Sequence, residues 1–297
     1  MQLLEGKRVA FELQKKIRLE VEDLRKTNHQ LPHLAIILVG NDGASETYVH
    51  NKIKACEEVG FQATLYRFDR SISEEELLIH IETVNQNSAI HGLIVQLPLP
   101  PHISVDKITQ AVHPQKDVDG FHPLNVGRLV KGLPTFISAT PYGIMKLIAH
   151  YGIQTAGKHC VVIGRSQIVG TPMSILLSRN NYPGNATVTL CHSHTINLTE
   201  ICLTADIIIT ALGKPHFLTE DMVKEGATVI DVGTTRVEDQ TKPKGYVLKG
   251  DVDFDRVASK CAYITPVPGG VGPMTILALL ENTLAAARIQ QGLQERF

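Results

Sequence analysis

HCVVIGRSQIVGTP, residues 159–172, runs a continuous apolar strand into a glycine and then into the start of a helix. At such a strand–turn–helix junction the backbone N–H groups and the helix dipole both favour a pyrophosphate. The spacing is not G-x-G-x-x-G. Gly164 and Gly170 stand six apart, with Arg165 and Ser166 where a middle glycine would be. As a bare pattern the stretch fits a structural turn almost as well as a nucleotide loop.

The next apolar run, ATVTLCHS (186–193), narrows the choice. A strand serving NAD usually ends on Asp or Glu, which binds the ribose 2′-hydroxyl. Here the end reads LCHSHT, with no carboxylate. Arg165 and Ser193 would instead hold a 2′-phosphate, so NADP is expected ahead of NAD. His192 and His194 alternate onto one side of the strand beside Cys191. Two histidines without a third ligand fall short of a metal centre, and no metal is expected.

Further apolar strands, DIIITAL (206–212) and ATVIDVG (227–233), follow, with helical segments between successive strands. Upstream, TPYGIMKLIAHYG reads as a helix with Thr140 as N-cap, Pro141 as first helical residue and Gly152 as its stop. The first third of the chain alternates in the same way. Residues 7–26 read as a helix, LAIILVG (34–40) as a strand, 43–58 as a helix closed by Gly60, and ATLYRF (63–68) as a strand. SEEELLIHIETVNQ (73–86) is a helix opened by a Ser73/Glu76 capping box, and GLIVQL (92–97) is another strand. Unbroken apolar strands separated by helices predict parallel sheets covered on both faces. The expected fold class is α/β, with two α/β domains and a cleft between them, the second Rossmann-like.

Bulk composition excludes several classes. The 297 residues allow two domains, and a formal net charge of −1 gives no electrostatic case for nucleic acid or an anionic membrane. No apolar run approaches the roughly 20 residues that span a bilayer. Five scattered cysteines without a C-x-x-C pair argue against disulfides and structural zinc, and for a reducing compartment, the cytoplasm.

SETYVHNK (45–52) spaces Ser45, Tyr48 and Lys52 along one helix face, beside an apolar stripe of Val49, Ile53 and Cys56. On spacing alone, a solvated face is the commoner explanation. VQLPLPPH (95–102) ends a buried strand with Gln96 and Leu97 before a proline-stiffened exit, where open α/β folds bind ligands. KDVDGFHP (116–123) sets Asp117 and Asp119 in a turn; an Asx-turn before Gly120 is the bland account of Asp119. TPVPGGVGPMT (265–275) makes a stiff wall with close backbone access, around Pro266 and Gly270.

Taken in order, the Tyr48-x-x-x-Lys52 helix, VQLPLP, KDVDGF, NVGRL, GRSQIVGTP, GDVDF and PVPGGVGPMT closely resemble the bifunctional methylenetetrahydrofolate dehydrogenase/methenyltetrahydrofolate cyclohydrolase family. The resemblance implies a folate-binding catalytic domain of residues 1–139 plus 274–297, with a Rossmann-like NADP-binding domain, 140–273, inserted. It implies a cytoplasmic homodimer, joined through the NADP domains, that serves one-carbon metabolism and purine biosynthesis. Its reaction oxidises 5,10-methylenetetrahydrofolate to the methenyl form with hydride transfer to NADP, then hydrolyses this to 10-formyltetrahydrofolate. By the same resemblance Lys52 is the central catalytic residue, Tyr48 packs beside the pterin, Gln96 holds Lys52, and Asp119 bonds the pterin edge. Leu97, Pro266 and Gly270 line the substrate, while Gly164, Arg165, Ser166, Ser193 and Thr234 fall on the cofactor.

SATP (138–141), His194, ALG (211–213), DVGTTR (231–236) and NYPGN (181–185) depart from the family pattern, all in or next to the dinucleotide domain. One retained activity, NAD linkage, or a non-catalytic folate- or nucleotide-binding regulator are the alternatives. A short-chain dehydrogenase, which also uses Tyr-x-x-x-Lys, has its motifs in the opposite order.

Overall fold

A strand that reads LAIILV has no polar face to give to water, so both its faces must be covered. The computed structural model, which describes residues 1–242 and 245–293, meets that demand with parallel sheets. The chain opens on β1 (Gln2–Leu3) and α1 (Gly6–Lys26) and continues through β2 (His33–Val39), α2 (Gly43–Val59), β3 (Gln62–Phe68), α3 (Glu74–Gln86) and β4 (Gly92–Val95). Short helices α4 (Val105–Ala111) and α5 (Pro123–Val130) follow, then α6 (Ala139–His150), β5 (His159–Ile163), α7 (Gly170–Ser178), β6 (Thr187–Cys191), α8 (Leu198–Leu203) and β7 (Ile207–Thr210). The last part comprises β8 (Ala227–Asp231), a hairpin of β9 (Thr235–Glu238) and β10 (Tyr246–Lys249), α9 (Phe254–Val257), β11 (Cys261–Ile264) and α10 (Val271–Gln290).

By contact density the chain divides into two units. One holds Glu12–Ala139 and the chain from Ile276 onward. Its parallel sheet has the order β3-β2-β4, and Ile37, Leu77, Ile81, Leu93 and Ile108 are buried in one core. Asp42 caps α2, which ends at Gly60 in the left-handed conformation, and the Ser73/Glu76 capping box opens α3 as its sequence predicts.

The other unit holds Met1–Phe11 and Thr140–Thr275. Its six-stranded sheet has the order β1-β11-β8-β7-β5-β6. From β5 the chain steps outward to β6 and then returns to the other side of β5 for β7. That reversal makes a topological switch point, the place where doubly wound sheets take their ligands.

Several local expectations are corrected. Thr140 is not the N-cap of α6, since the helix already includes Ala139. The link from β7 to β8 carries only a 3₁₀ turn, Glu220–Met222. Neither the β9–β10 hairpin nor β1 and β11 announces itself by periodicity. β1 is two residues long, and it exists because Gln2 and Leu3 pair with Tyr263 and Ile264 of β11. Pairing across the whole chain leaves no local signature.

Buried between His33 and Lys116 lies His91, only 1% exposed. The His33 N–H donates to its Nδ1 at 3.2 Å, and the Lys116 ammonium donates to the carbonyls of Val84 and Asn87. Burial, then the neighbouring His33 and Lys116, lowers the His91 ring from 6.5 to about 4. A depressed histidine favours folding in its neutral form; that contribution is whole above pH 6.5 and is lost as pH falls towards 4. Between pH 7 and pH 5 the chain should lose about 2 kcal/mol of stability through this ring. His91→Gln keeps an acceptor for His33 and should remove that part of the loss, as urea unfolding at the two pH values will measure.

Candidate active site and dinucleotide loop

Helix α2 is anchored at its start. Asp42 accepts from both the backbone N–H and the hydroxyl of Ser45, at 2.8 and 2.9 Å. Ser45 is therefore buried as part of the cap and does not share an open face with Tyr48 and Lys52. Val49 and Cys56 dock the helix, while Tyr48 keeps 39% of its surface exposed. One turn beyond Tyr48, the Lys52 Nζ donates to Gln96 Oε1 at 3.1 Å. Gln96 is aimed by two bonds of its own. Its backbone N–H donates to Ile37 O at 2.8 Å, extending the β2–β4 ladder, and its Nε2 donates to Leu97 O at 2.7 Å. The lysine thus meets a glutamine fixed at the carboxyl end of the sheet.

The two carboxylates of KDVDGF have opposite fates. Asp117 accepts from the backbone N–H groups of Phe121 and His122 and from Asn125 Nδ2 at 2.8 Å, so it is the residue that shapes the turn. Asn125 in turn accepts from the Thr135 hydroxyl. Asp119 is freed from turn duty, and no hydrogen bond reaches its carboxylate from the described residues. Burial raises its pKa, the nearby Lys52 charge lowers it, and Asp117 raises it further. From α10, Asn282 Nδ2 clamps this segment by donating to Val118 O and Ile137 O at 2.8 and 2.9 Å. Asp117 and Asn125 stand inside KDVDGF and NVGRL, but nothing in those motifs assigns them the turn; Asn282 lies in no motif, and an amide in an otherwise apolar helix was its one available signal.

In the other unit, β5 ends at Gly164, whose φ is +117° and where a Cβ would lie 2.4 Å from Ala211 O. At Gly170 a Cβ would lie 1.8 Å from Gly164 O. The turn therefore closes tightly, and both positions require glycine. The Ser166 hydroxyl accepts from Val169 N and stands at the start of α7. Arg165 is exposed; its carbonyl accepts from the Thr171 hydroxyl, while its guanidinium makes no ion pair or hydrogen bond to described residues. A bare guanidinium and open hydroxyls beside a helix N-terminus suit the phosphates of a dinucleotide. Ser193, at the exposed end of the neighbouring strand, lies within the same set of carboxyl-end loops.

His192 Nδ1 accepts from the backbone N–H of His194 at 3.2 Å. Among the described residues no group of three His, Cys, Asp or Glu side chains converges. Thr234 is exposed in the loop after β8. Pro266 and Gly270 face each other across one turn, Gly270 N donating to Pro266 O at 2.9 Å, in this unit and not in the unit of Lys52.

Residues 4–119 match the family described as tetrahydrofolate dehydrogenase/cyclohydrolase, catalytic domain. Residues 138–291 match the family described as tetrahydrofolate dehydrogenase/cyclohydrolase, NAD(P)-binding domain. The bifunctional protein FolD of Porphyromonas gingivalis is 58% identical over 286 residues, 96% of this chain and 97% of that protein. The FolD of Cytophaga hutchinsonii is 56% identical over 290 residues, 98% of this chain and 100% of that protein. Among solved structures, the Campylobacter jejuni FolD methylenetetrahydrofolate dehydrogenase/cyclohydrolase superposes with a TM-score of 0.90 at 46% identity, over 97% of this chain and 99% of that one. The Trypanosoma brucei methylenetetrahydrofolate dehydrogenase-cyclohydrolase, complexed with NADP cofactor and inhibitor, gives 0.92 at 38% identity, over 96% and 97%.

Gly170→Ala tests the tight turn. Overpacking backbone against backbone should cost about 3 kcal/mol and abolish dinucleotide binding. Gly127→Ala, in α5 where nothing lies within 4 Å of the new methyl, is the control and should be neutral or stabilising. Urea unfolding and nucleotide titration of both variants provide the check.

Proposed function

The chain belongs to the tetrahydrofolate dehydrogenase/cyclohydrolase family, and on that premise we propose how its residues divide the work. The protein is an NADP-dependent enzyme of one-carbon metabolism. It oxidises 5,10-methylenetetrahydrofolate to 5,10-methenyltetrahydrofolate and hydrolyses that product to 10-formyltetrahydrofolate. The unit of Glu12–Ala139 with the chain from Ile276 onward is the folate-binding catalytic domain, and the unit of Met1–Phe11 with Thr140–Thr275 is the NADP-binding domain.

The observation that carries the assignment is the Lys52–Gln96 hydrogen bond beside an unbonded Asp119. A carboxylate accepts and does not donate, so Asp119 complements the 2-amino and N3–H edge of a pterin, which offers two donors. Tyr48 and Leu97 flank the ring. Lys52 carries the proton transfers of ring opening. Its Nζ donates one hydrogen bond to Gln96, which fixes the direction in which the rest of the group is presented. Gln96 thereby acts on the chemistry through Lys52.

NADP, when bound, supplies the hydride acceptor. Gly164 and Gly170 allow the backbone to approach its pyrophosphate, Ser166 and Thr234 contribute hydroxyls, and Arg165 with Ser193 binds the 2′-phosphate. The enzyme acts as a cytoplasmic homodimer joined through the NADP domains, and its formyl product serves purine biosynthesis. The buried, unpaired state of all five cysteines suits a reducing compartment.

Lys52→Ala should lower hydrolysis of methenyltetrahydrofolate by about 10²- to 10⁴-fold while leaving the fold intact. Decay of the methenyl absorbance reads this directly, and an unchanged rate removes Lys52 from its role. Arg165→Ala should raise the KM for NADP by about 10- to 100-fold, the loss expected for a charge-assisted hydrogen bond, and change that for NAD little. Equal effects on both dinucleotides would sink the 2′-phosphate assignment.

A further inference from the structure

GDVDF (250–254) has no part in the assignments above, yet its first carboxylate is wholly buried. Asp251 accepts from three successive backbone N–H groups after β7: Leu212 at 2.6 Å, Gly213 at 3.2 Å and Lys214 at 2.7 Å. A second buried carboxylate lies beneath it. Asp231, the last residue of β8, accepts from the N–H groups of Gly233, Asp251 and Val252 and from the Thr210 hydroxyl. The glycines around the pair are fitted to it. A Cβ at Gly233 would lie 2.3 Å from Asp251 Oδ1, and one at Gly250 would lie 1.9 Å from Asp231 Oδ2. Among the described residues neither carboxylate touches a lysine or arginine side chain; backbone donors, with the Thr210 hydroxyl, satisfy them.

These loops lie at the carboxyl ends of β7 and β8, next to the glycine turn. Ala211 N donates to Ile163 O, and Ala211 O fills the space where Gly164 lacks a side chain. A dinucleotide whose pyrophosphate sits after β5 extends its adenosine half towards the next strand in sequence, β6, and its other half across the switch point. In this sheet that other half falls over β7 and β8.

We infer that Asp251 and Asp231 are positioning residues for the nicotinamide half of NADP, holding the backbone of residues 211–214 and 232–234 in its binding geometry. The inference rests on the NADP-dependent reading given above. Two stacked carboxylates tie three separate loops into one rigid floor, so the cost of ordering that backbone is met in folding and not at binding. Hydrolysis of methenyltetrahydrofolate consumes no dinucleotide, so its machinery does not depend on this tie.

The test is Asp251→Asn in the full chain. It puts an amide NH₂ against backbone donors while preserving shape. NADP titration should show the Kd raised by at least about tenfold, the loss of a hydrogen-bonded buried charge, and the dehydrogenase rate should fall in step. Methenyltetrahydrofolate hydrolysis should stay within about twofold of wild type, since no group of the hydrolytic site is altered. If this variant does not fold, Thr210→Val decides. That isostere removes one donor to Asp231 and should raise the NADP Kd by about threefold with hydrolysis again retained. An unchanged NADP Kd in the folded variant, or equal proportional loss of both activities, overturns the inference. A wild-type protein that neither binds NADP nor hydrolyses methenyltetrahydrofolate would overturn the underlying reading instead.

Discussion

Parallel pairing is the constraint from which most of this structure follows. Neighbouring parallel strands cannot be joined by a tight turn, so each must be followed by a crossover, usually helical. All loops that leave the strands then emerge on one edge of their sheet. Gln96 follows β4, Gly164 follows β5, Ser193 lies just after β6 and Thr234 just after β8, so each is delivered to a carboxyl edge. No residue needs to be brought there by a special loop. The same geometry explains the unbroken apolar strands, since a sheet covered on both faces leaves no polar alternation.

Charge buried at those edges is handled in two ways. Asp117, Asp231 and Asp251 are each saturated by donors from nearby backbone and side chains, and they act as internal ties. Burial still pushes the Asp231 carboxyl up to about 6, which shows how much desolvation its donors must offset. Asp119 is also desolvated, but its one electrostatic support is the charge of Lys52, and the protein spends no donor on it. A carboxylate left in that state is poised for donors that arrive with a ligand. Lys52 carries the complementary arrangement, with one bond to Gln96 and the rest of its Nζ open.

Much of the fold was legible because its signals are local. LAIILV, CVVI and IIIT, short and rich in β-branched residues, read as buried strands, and Ser73 with Glu76 three residues on marks the start of α3. Lys52 was legible one turn beyond Tyr48 on a helix and Gln96 at a strand end, although their bond joins positions 44 apart. Less visible was the division of labour between Asp117 and Asp119. Both precede a glycine-containing turn, and only the directions of the Phe121, His122 and Asn125 donors show which one makes the turn.

By itself the sequence determined the α/β class and singled out the candidate groups at its motifs, because strand and helix periodicity and residue chemistry act over a few positions. Tertiary structure alone decided the strand order, the capture of β1 by β11, the clamp of Asn282 on Val118 from 164 positions away, and the stacking of Asp231 on Asp251. Each of these depends on which distant segments share a buried space. That choice is made by packing and by the need to satisfy every buried polar group, and neither leaves a periodic trace in the chain.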